Sequence, residues 1–118
     1  MKKFLAVYIG TRAARERSQW EKLDEGKRKS LEASGIEAWM NWGTANATAI
    51  VDQGTPLGKT KRASKQGIAD VKNDMTGYVL VQAESHDAAA KLFENHPHFT
   101  IFPGDSVEIM ECLPLPKR

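Results

Sequence analysis

Cysteine is almost absent from this chain, and long apolar runs are absent altogether. The single cysteine, Cys112, excludes an internal disulfide and a CxxC metal or redox motif, which favours a reducing cytoplasm. No apolar stretch approaches the roughly 20 residues that a membrane span requires. The 17 Lys and Arg nearly balance the 15 Asp and Glu, so net charge gives no argument for a nucleic-acid partner. The 118 residues therefore predict one globular domain spanning 1–118.

Two segments predict strands that are apolar on both sides. Residues 3–10 alternate Phe4, Ala6 and Tyr8 with other apolar side chains, and residues 77–83 read GYVLVQA. The first run, FLAVYIG, follows two lysines as in a signal peptide, but Thr11-Arg12 succeeds it without a small-residue cleavage site. We interpret it as a strand.

Two helices are predicted from their caps and spacing. Asp24 is a plausible N-cap for a long helix that runs to about Asn46, with a wide buried face and a bend or restart near Gly35. Ser85 caps a shorter helix that Asn95-His96-Pro97 stops.

The remaining segments complete an α+β pattern. TAIVDQG, HFTIF and SVEIMECL predict strands, KTKRASKQG predicts a basic strand or an irregular hairpin arm, and a tail begins at about residue 114. This order predicts a ferredoxin-like sandwich with an antiparallel sheet and two main helices. Two helices cover only one face of such a sheet, so we expect the other apolar face to pair with a second copy in a homodimer.

The motif His96-Pro97-His98 has a functional and a structural interpretation. Side chains two apart in an extended segment point the same way, so both histidines could reach one ligand or metal. A zinc site needs a third protein ligand, and none is adjacent, so we predict no metal and no cofactor. The alternative is punctuation, with His96 at a helix C-terminus, where a positive charge is favourable, and His98 opening a strand. His98 is the better candidate for acid–base chemistry.

Other side chains have similar double interpretations. Trp39 and Trp42 lie three apart on the long helix and could line a pocket or only fill the core. The basic run KTKRASK, which contains Arg62, could bind an anion or form a solvated edge strand. Asp52 could be a carboxylate at a pocket mouth or a turn-starting residue. We expect Cys112 to pack in the last strand.

An RNA-binding interpretation is the alternative from another class. VYIGTR and TGYVLVQAESHDAA resemble the first strand and the third strand with second helix of the RNA-recognition motif, which stacks bases on strand aromatics. Thr76 stands where that module has a basic residue, and Leu80 and Ala83 replace two aromatics. Only Tyr8 and Tyr78 remain as stacking candidates, so nucleic acid is an unlikely partner.

Several longer stretches are informative together, namely QWEKL, IVDQGTPLGKT, GYVLVQAESHDAAAKLFENHPHF and PGDSVEIMECLPLP. They resemble the YCII-related domain family of the dimeric α/β barrel superfamily. The resemblance implies a ferredoxin-like protomer that pairs sheet to sheet, with a pocket between sheet and helices. Some members use a His-Asp pair for acid–base chemistry. Here no histidine precedes His86, and Asp52-Gln53-Gly54-Thr55-Pro56-Leu57 replaces the DGPF signature, so His98 with Asp52 is the substitute pair.

These observations predict a cytoplasmic, homodimeric, YCII-like protein that binds a small aromatic or anionic molecule. Whether it is an enzyme, of isomerase or lyase type, stays open, as does the non-catalytic interaction module. Tyr8, Trp39 and Trp42 are expected to form apolar walls, and His96 and Arg62 to contact the ligand, Arg62 as its charge partner.

Overall fold

The computed structural model describes residues 1–116, which form six strands and four helices. The strands are β1 (Lys2–Ile9), β2 (Ile50–Asp52), β3 (Thr60–Ser64), β4 (Gly67–Val71), β5 (Met75–Ala83) and β6 (Ser106–Glu111). The helices are α1 (Arg12–Ser18), α2 (Glu25–Ala45), α3 (His86–Lys91) and α4 (Pro97–Thr100), with a 3-10 turn at Trp20–Lys22. The end of the predicted tail lies outside the described residues.

The main sheet has the strand order expected of a ferredoxin-like fold. Four strands run β2-β5-β1-β6, and each neighbouring pair is antiparallel. Strands β1 and β2 are separated by β5, so the α2 connection crosses over the sheet. The predicted α+β sandwich is confirmed.

The packed core lies on one face of this sheet. Phe4, Ala6 and Tyr8 of β1 pair across the ladder with Val81, Val79 and Gly77 of β5. Trp39 and Trp42 of α2, Ala89 of α3 and Phe93 just beyond α3 pack against them. The inner face is thus the one that α2 and α3 cover, as expected for a sheet with two main helices.

The opposite, outer face of the sheet is also apolar. Leu5 pairs with Leu80 on β5 and with Met110 on β6, while Val7 pairs with Tyr78. Met110 is 44% exposed, and Leu5, Tyr78 and Leu80 are half-buried. The expected uncovered apolar face is therefore present in the protomer.

Side-chain caps fix the starts of α2 and α3, as the sequence predicted. The Asp24 side chain accepts the backbone N–H of Lys27 at 2.8 Å, and Ser85 accepts that of Ala88 at 3.1 Å. α2 ends at Ala45, close to the predicted end, and it continues through Gly35 without a restart. A β-carbon at Gly35 would overlap the Phe102 ring, so glycine serves close packing at this position.

Three predictions about local structure were wrong. HFTIF is not a strand: the His96 side chain caps the next turn and Pro97 has the fixed φ that suits a first helical position, so α4 forms. The face of α2 is not widely buried, since Ile36 is 56% and Met40 67% exposed. Cys112 is exposed just beyond β6 because that strand ends at Glu111.

The basic segment forms a separate two-stranded hairpin, β3–β4. The hairpin-arm alternative is thus confirmed, although the sequence did not predict β4. Nearly every hairpin residue is exposed. The radius of gyration is 16.4 Å, whereas a compact domain of this length has about 13.5 Å. A hairpin that stands clear of the body accounts for this elongation.

Candidate functional site

A cavity of about 820 Å³ opens between helix α2 and the inner face of the sheet. Its floor comes from β1 and β5, one wall from α2, the rim from the loop after β2, and one side from α4. Its lining includes Tyr8, Trp39, Trp42, Gly54, Thr76 and His98. Among residues 1–116, no Asp, Glu, Lys or Arg lines this cavity.

Aromatic side chains dominate the walls. The Tyr8 ring centroid lies 4.8 Å from that of Trp39, and Trp42 packs on Phe93 at 5.1 Å. The indole N–H of Trp42 donates to the Leu92 carbonyl at 2.7 Å. This bond joins α2 to the end of α3 and holds the indole in position, so that part of the wall is preorganised.

The rim is built by the loop that follows β2. The Asp52 carboxylate accepts the backbone N–H of Gly54 at 2.8 Å, and Gly54 has φ 66°. A β-carbon at Gly54 would overlap the carbonyl of Tyr78. Both the positive φ and this close approach therefore require glycine at the position. The N–H of Leu57 then donates to the Thr76 carbonyl at 2.9 Å, which ties the loop to β5. The sequence left Asp52 as a turn-starting residue or a carboxylate at a pocket mouth; Asp52 starts the turn, and the residues that follow it form the rim.

His98 projects from α4 into the cavity wall. Its Nε2 lies 2.8 Å from the Ile9 carbonyl, which only accepts, so Nε2 carries the proton and neutral His98 keeps its lone pair on Nδ1. Burial lowers the pKa of His98, while the carbonyls of Ile9 and Ser106 and the charge of Asp105 act in the opposite direction. A β-carbon at Gly104 would overlap His98, so the Pro-Gly turn makes room for the ring.

His96 is fully buried behind Tyr8 and does not line the cavity. Its Nδ1 accepts the backbone N–H of His98 at 3.0 Å, and its Nε2 lies 3.4 Å from the Tyr8 hydroxyl. Burial, with a smaller effect from His98, lowers the pKa of His96 to about 4. We expected His96 to lie at a helix C-terminus, where a positive charge is favourable. This was wrong, because His96 precedes the first residue of α4 and is neutral at pH 7.

The remaining predicted site residues lie elsewhere. Asp52 carries the turn described above, and within residues 1–116 no hydrogen bond or ion pair joins it to His98. Arg62 is exposed on β3, opposite Ala69, and does not line the cavity. The structure thus places Tyr8, Trp39, Trp42 and His98 around one cavity, His96 behind it, and the other two outside it.

The described part of the chain has neither a cluster of metal ligands nor a helix suited to a bilayer. Residues 1–116 contain no group of three or more His, Cys, Asp or Glu that could hold a metal ion. No helix in the same range has the length and apolarity needed to cross a bilayer.

Comparison with known proteins supports the fold. No protein-family model and no curated protein matches the chain. Among solved structures it is similar to 5-chloro-2-hydroxyhydroquinone dehydrochlorinase (TftG) from Burkholderia phenoliruptrix AC1100 in complex with 2,5-dihydroxybenzoquinone. The match has a TM-score of 0.50 and 17% sequence identity, and it covers 91% of this chain and 89% of that one. The two proteins therefore have related folds.

Proposed function

We propose that this protein is a YCII-like domain that binds a small, uncharged aromatic molecule in the cavity beside α2. The observation that carries the proposal is the cavity itself, about 820 Å³ with aromatic walls and no fully charged side chain. Such volume and lining are typical of small-molecule sites. Of the two ligand classes expected from the sequence, the anionic one loses its support because Arg62 is remote from the cavity. TftG is in complex with 2,5-dihydroxybenzoquinone, which agrees with a small ring compound that bears oxygen substituents.

Binding can be tested by following backbone amide NMR signals during titration with acetophenone, a small uncharged aromatic ketone. We expect signals of Gly54, Thr76 and the Trp39 indole to shift, while that of Ala69 on the hairpin does not. Benzoate, which has the same ring but a negative charge, should bind more weakly because no cation compensates for its lost hydration.

A cavity-filling substitution provides the matched control. Gly43 lines the cavity, and nothing lies within 4 Å of a β-carbon there, so Gly43→Leu should fill the site and abolish acetophenone binding. Asn41→Leu adds the same side chain to exposed helix outside the lining and should leave binding unchanged. Equal binding by both variants would refute the cavity as the binding site.

Proton transfer by His98 is a second candidate function. His98 lines the cavity as a neutral ring with a lone pair on Nδ1, which is the form that a general base needs. The expected outcome is faster deuterium exchange at the methyl group of acetophenone with the wild type than with His98→Gln. Equal exchange rates would leave binding as the only function. Asp52 has no supporting contact as the partner of His98.

We also propose that the outer face of the sheet pairs with a second copy of the chain. The uncovered ladder of Leu5, Leu80 and Met110 supports this pairing. The RNA-binding alternative has less support, since Tyr8 pairs with Gly77 on the inner face and Tyr78 with Val7 on the outer one. The two candidate stacking residues therefore do not form one platform. The free thiol of Cys112 fits the cytoplasm as the compartment.

A further inference from the structure

Three polar groups of the cavity wall and of the layer behind it form a directional chain. The backbone N–H of His98 lies 3.0 Å from Nδ1 of His96, and Nε2 of His96 lies 3.4 Å from the hydroxyl oxygen of Tyr8. The first contact joins residues two apart in the α4 turn, and the second spans 88 positions of the chain. The chain of contacts thus connects a helix start to the central strand beneath the cavity.

The first contact determines which nitrogen of His96 carries the proton. A backbone N–H only donates, so Nδ1 must accept and cannot itself be protonated. The neutral ring then has its proton on Nε2, which points at Tyr8. Nε2–H donates to the phenol oxygen, and the 3.4 Å separation makes this a long bond. Protonation of Nδ1 would place two hydrogens against each other, so the neutral form is the one that fits.

The orientation of Tyr8 follows from this tautomer. Its hydroxyl oxygen is occupied as an acceptor by His96, so its own proton must go to another acceptor. Among residues 1–116, His96 is the only hydrogen-bond partner of that hydroxyl. Tyr8 is also a lining residue of the cavity and is 5% exposed. A nearly buried O–H donor without an acceptor is costly, and a ligand oxygen would satisfy it.

We propose that the Tyr8 hydroxyl donates a hydrogen bond to a carbonyl-type oxygen of the bound ligand, and that His96 is the positioning residue that holds it in the donating orientation. This inference rests on the proposed function, since it needs a ligand in the cavity. It assigns the ligand a class: an uncharged aromatic ring bearing an acceptor oxygen. His96 itself does not touch the ligand.

The burial of the pair supports these roles. Burial raises the pKa of Tyr8 above its ordinary range, so the phenol keeps the proton that it must donate. The lowered pKa of His96 keeps that ring neutral at pH 7. The aromatic contacts of His96 with Trp39 and Trp42, at 4.6 and 4.7 Å between centroids, restrict its rotation.

Two ligands of nearly identical shape test the hydrogen bond. Acetophenone carries a carbonyl oxygen where α-methylstyrene carries a methylene group. The ratio of the two dissociation constants measures the preference for acetophenone. We expect this preference to be about tenfold greater in the wild type than in Tyr8→Phe, because only the wild type forms the hydrogen bond with the carbonyl oxygen and leaves its O–H donor unsatisfied with α-methylstyrene. The carbonyl stretch of bound acetophenone should lie at lower infrared frequency in the wild type than in Tyr8→Phe.

A His96→Asn variant separates positioning from helix capping. Asparagine is a good N-cap, so its side-chain oxygen can still accept the N–H of His98. The shorter side chain has no donor at the position of Nε2. We expect this variant to fold, to bind α-methylstyrene like the wild type, and to lose the infrared shift and most of the preference for acetophenone.

The tautomer can be read directly from the wild type. Two-bond ¹H–¹⁵N correlation spectra at pH 7 should show Nδ1 of His96 unprotonated and Nε2 protonated, and the reverse pattern would overturn the inference. Equal binding of both ligands, unaffected by Tyr8→Phe, would overturn it while leaving the proposed function intact. If neither ligand binds the wild type, the proposed function fails for this ligand class and the inference fails with it.

Discussion

His96 contacts two side chains of the cavity wall without lining the cavity itself. It lies on no surface, yet it receives one backbone hydrogen bond, faces the Tyr8 hydroxyl and packs against two tryptophans. Its neighbour His98 has the complementary position, with one nitrogen held by the Ile9 carbonyl and its ring in the cavity wall. The His-Pro-His motif is thus both a helix start and the support of a site.

Acid should destabilise the protein through His96. Its pKa is about 4 when folded and 6.5 as an ordinary side chain, so below pH 6.5 the unfolded state takes up the proton first. The free energy of unfolding should therefore fall between pH 6.5 and 4, by on the order of 2 kcal/mol. The lowered pKa of His98 acts in the same direction. Urea unfolding at pH 7 and pH 4.5 measures the loss.

The matched variant for this prediction is His96→Asn, which retains the cap but does not titrate in this range. Its loss of stability between pH 7 and 4.5 should be smaller than that of the wild type. The shared background from the carboxylates cancels in the comparison. An equal loss in both proteins would show that His96 is not the group responsible.

At the scale of elements, helix α2 is held by a few contacts instead of a broad buried face. Gly35 is its buried residue, and Phe102 packs directly on it. Phe102 also lies 6.1 Å from both Trp20 and Trp39 between ring centroids. Helix α2 therefore contacts the rest of the molecule mainly at Gly35, where Phe102 packs, and at Trp39 and Trp42. The cavity lies beside these contacts.

Two glycine substitutions on α2 should have opposite effects. Alanine is the better helix former by about 0.5–1 kcal/mol, so Gly43→Ala, with open space around its β-carbon, should stabilise the protein by about that amount. Gly35→Ala should destabilise it by about 1–2 kcal/mol, because the new methyl group displaces Phe102 from its aromatic neighbours. Thermal unfolding compares the two. A stabilised Gly35→Ala variant would contradict the close-packing explanation.

At the scale of the whole molecule, the uncovered outer face calls for a partner. A flat ladder of apolar side chains of several hundred square ångströms is rare on a monomer. The helical residues that pack on the core, from α2 and α3, lie on the inner face, so a second sheet would be a geometrically matched cover for the outer face. The cavity lies on the inner face, and pairing would leave it open to ligand.

The dimer is tested by charge placed at the centre of this face. Leu80→Glu should give a monomer of 13.1 kDa by light scattering, while the wild type should have twice that mass. Ile68→Glu, at a 76% exposed position on the hairpin, should leave the dimer unchanged. A wild-type mass of 13.1 kDa would refute the proposed pairing.

Local signals in the sequence were sufficient for most elements. Asp24 and Ser85 start their helices because a cap acts within three residues, and β1 and β5 follow from alternation within a single strand. The same alternation on both faces predicted the uncovered outer face. HFTIF failed because the cap of His96 and the fixed φ of Pro97 outweighed a weak alternating pattern.

The site depended on contacts that no local pattern encodes. Tyr8 and His96 meet across 88 positions of the chain, and the Asp52–Gly54 turn becomes a rim only because it lies on β5. The sequence by itself determined which residues could form helices, strands and an aromatic pocket, since those preferences are short-range. Only the tertiary structure decided that His98 faces the cavity, that His96 supports Tyr8, and that Asp52 and Arg62 lie outside, because packing and long-range hydrogen bonds select those neighbours.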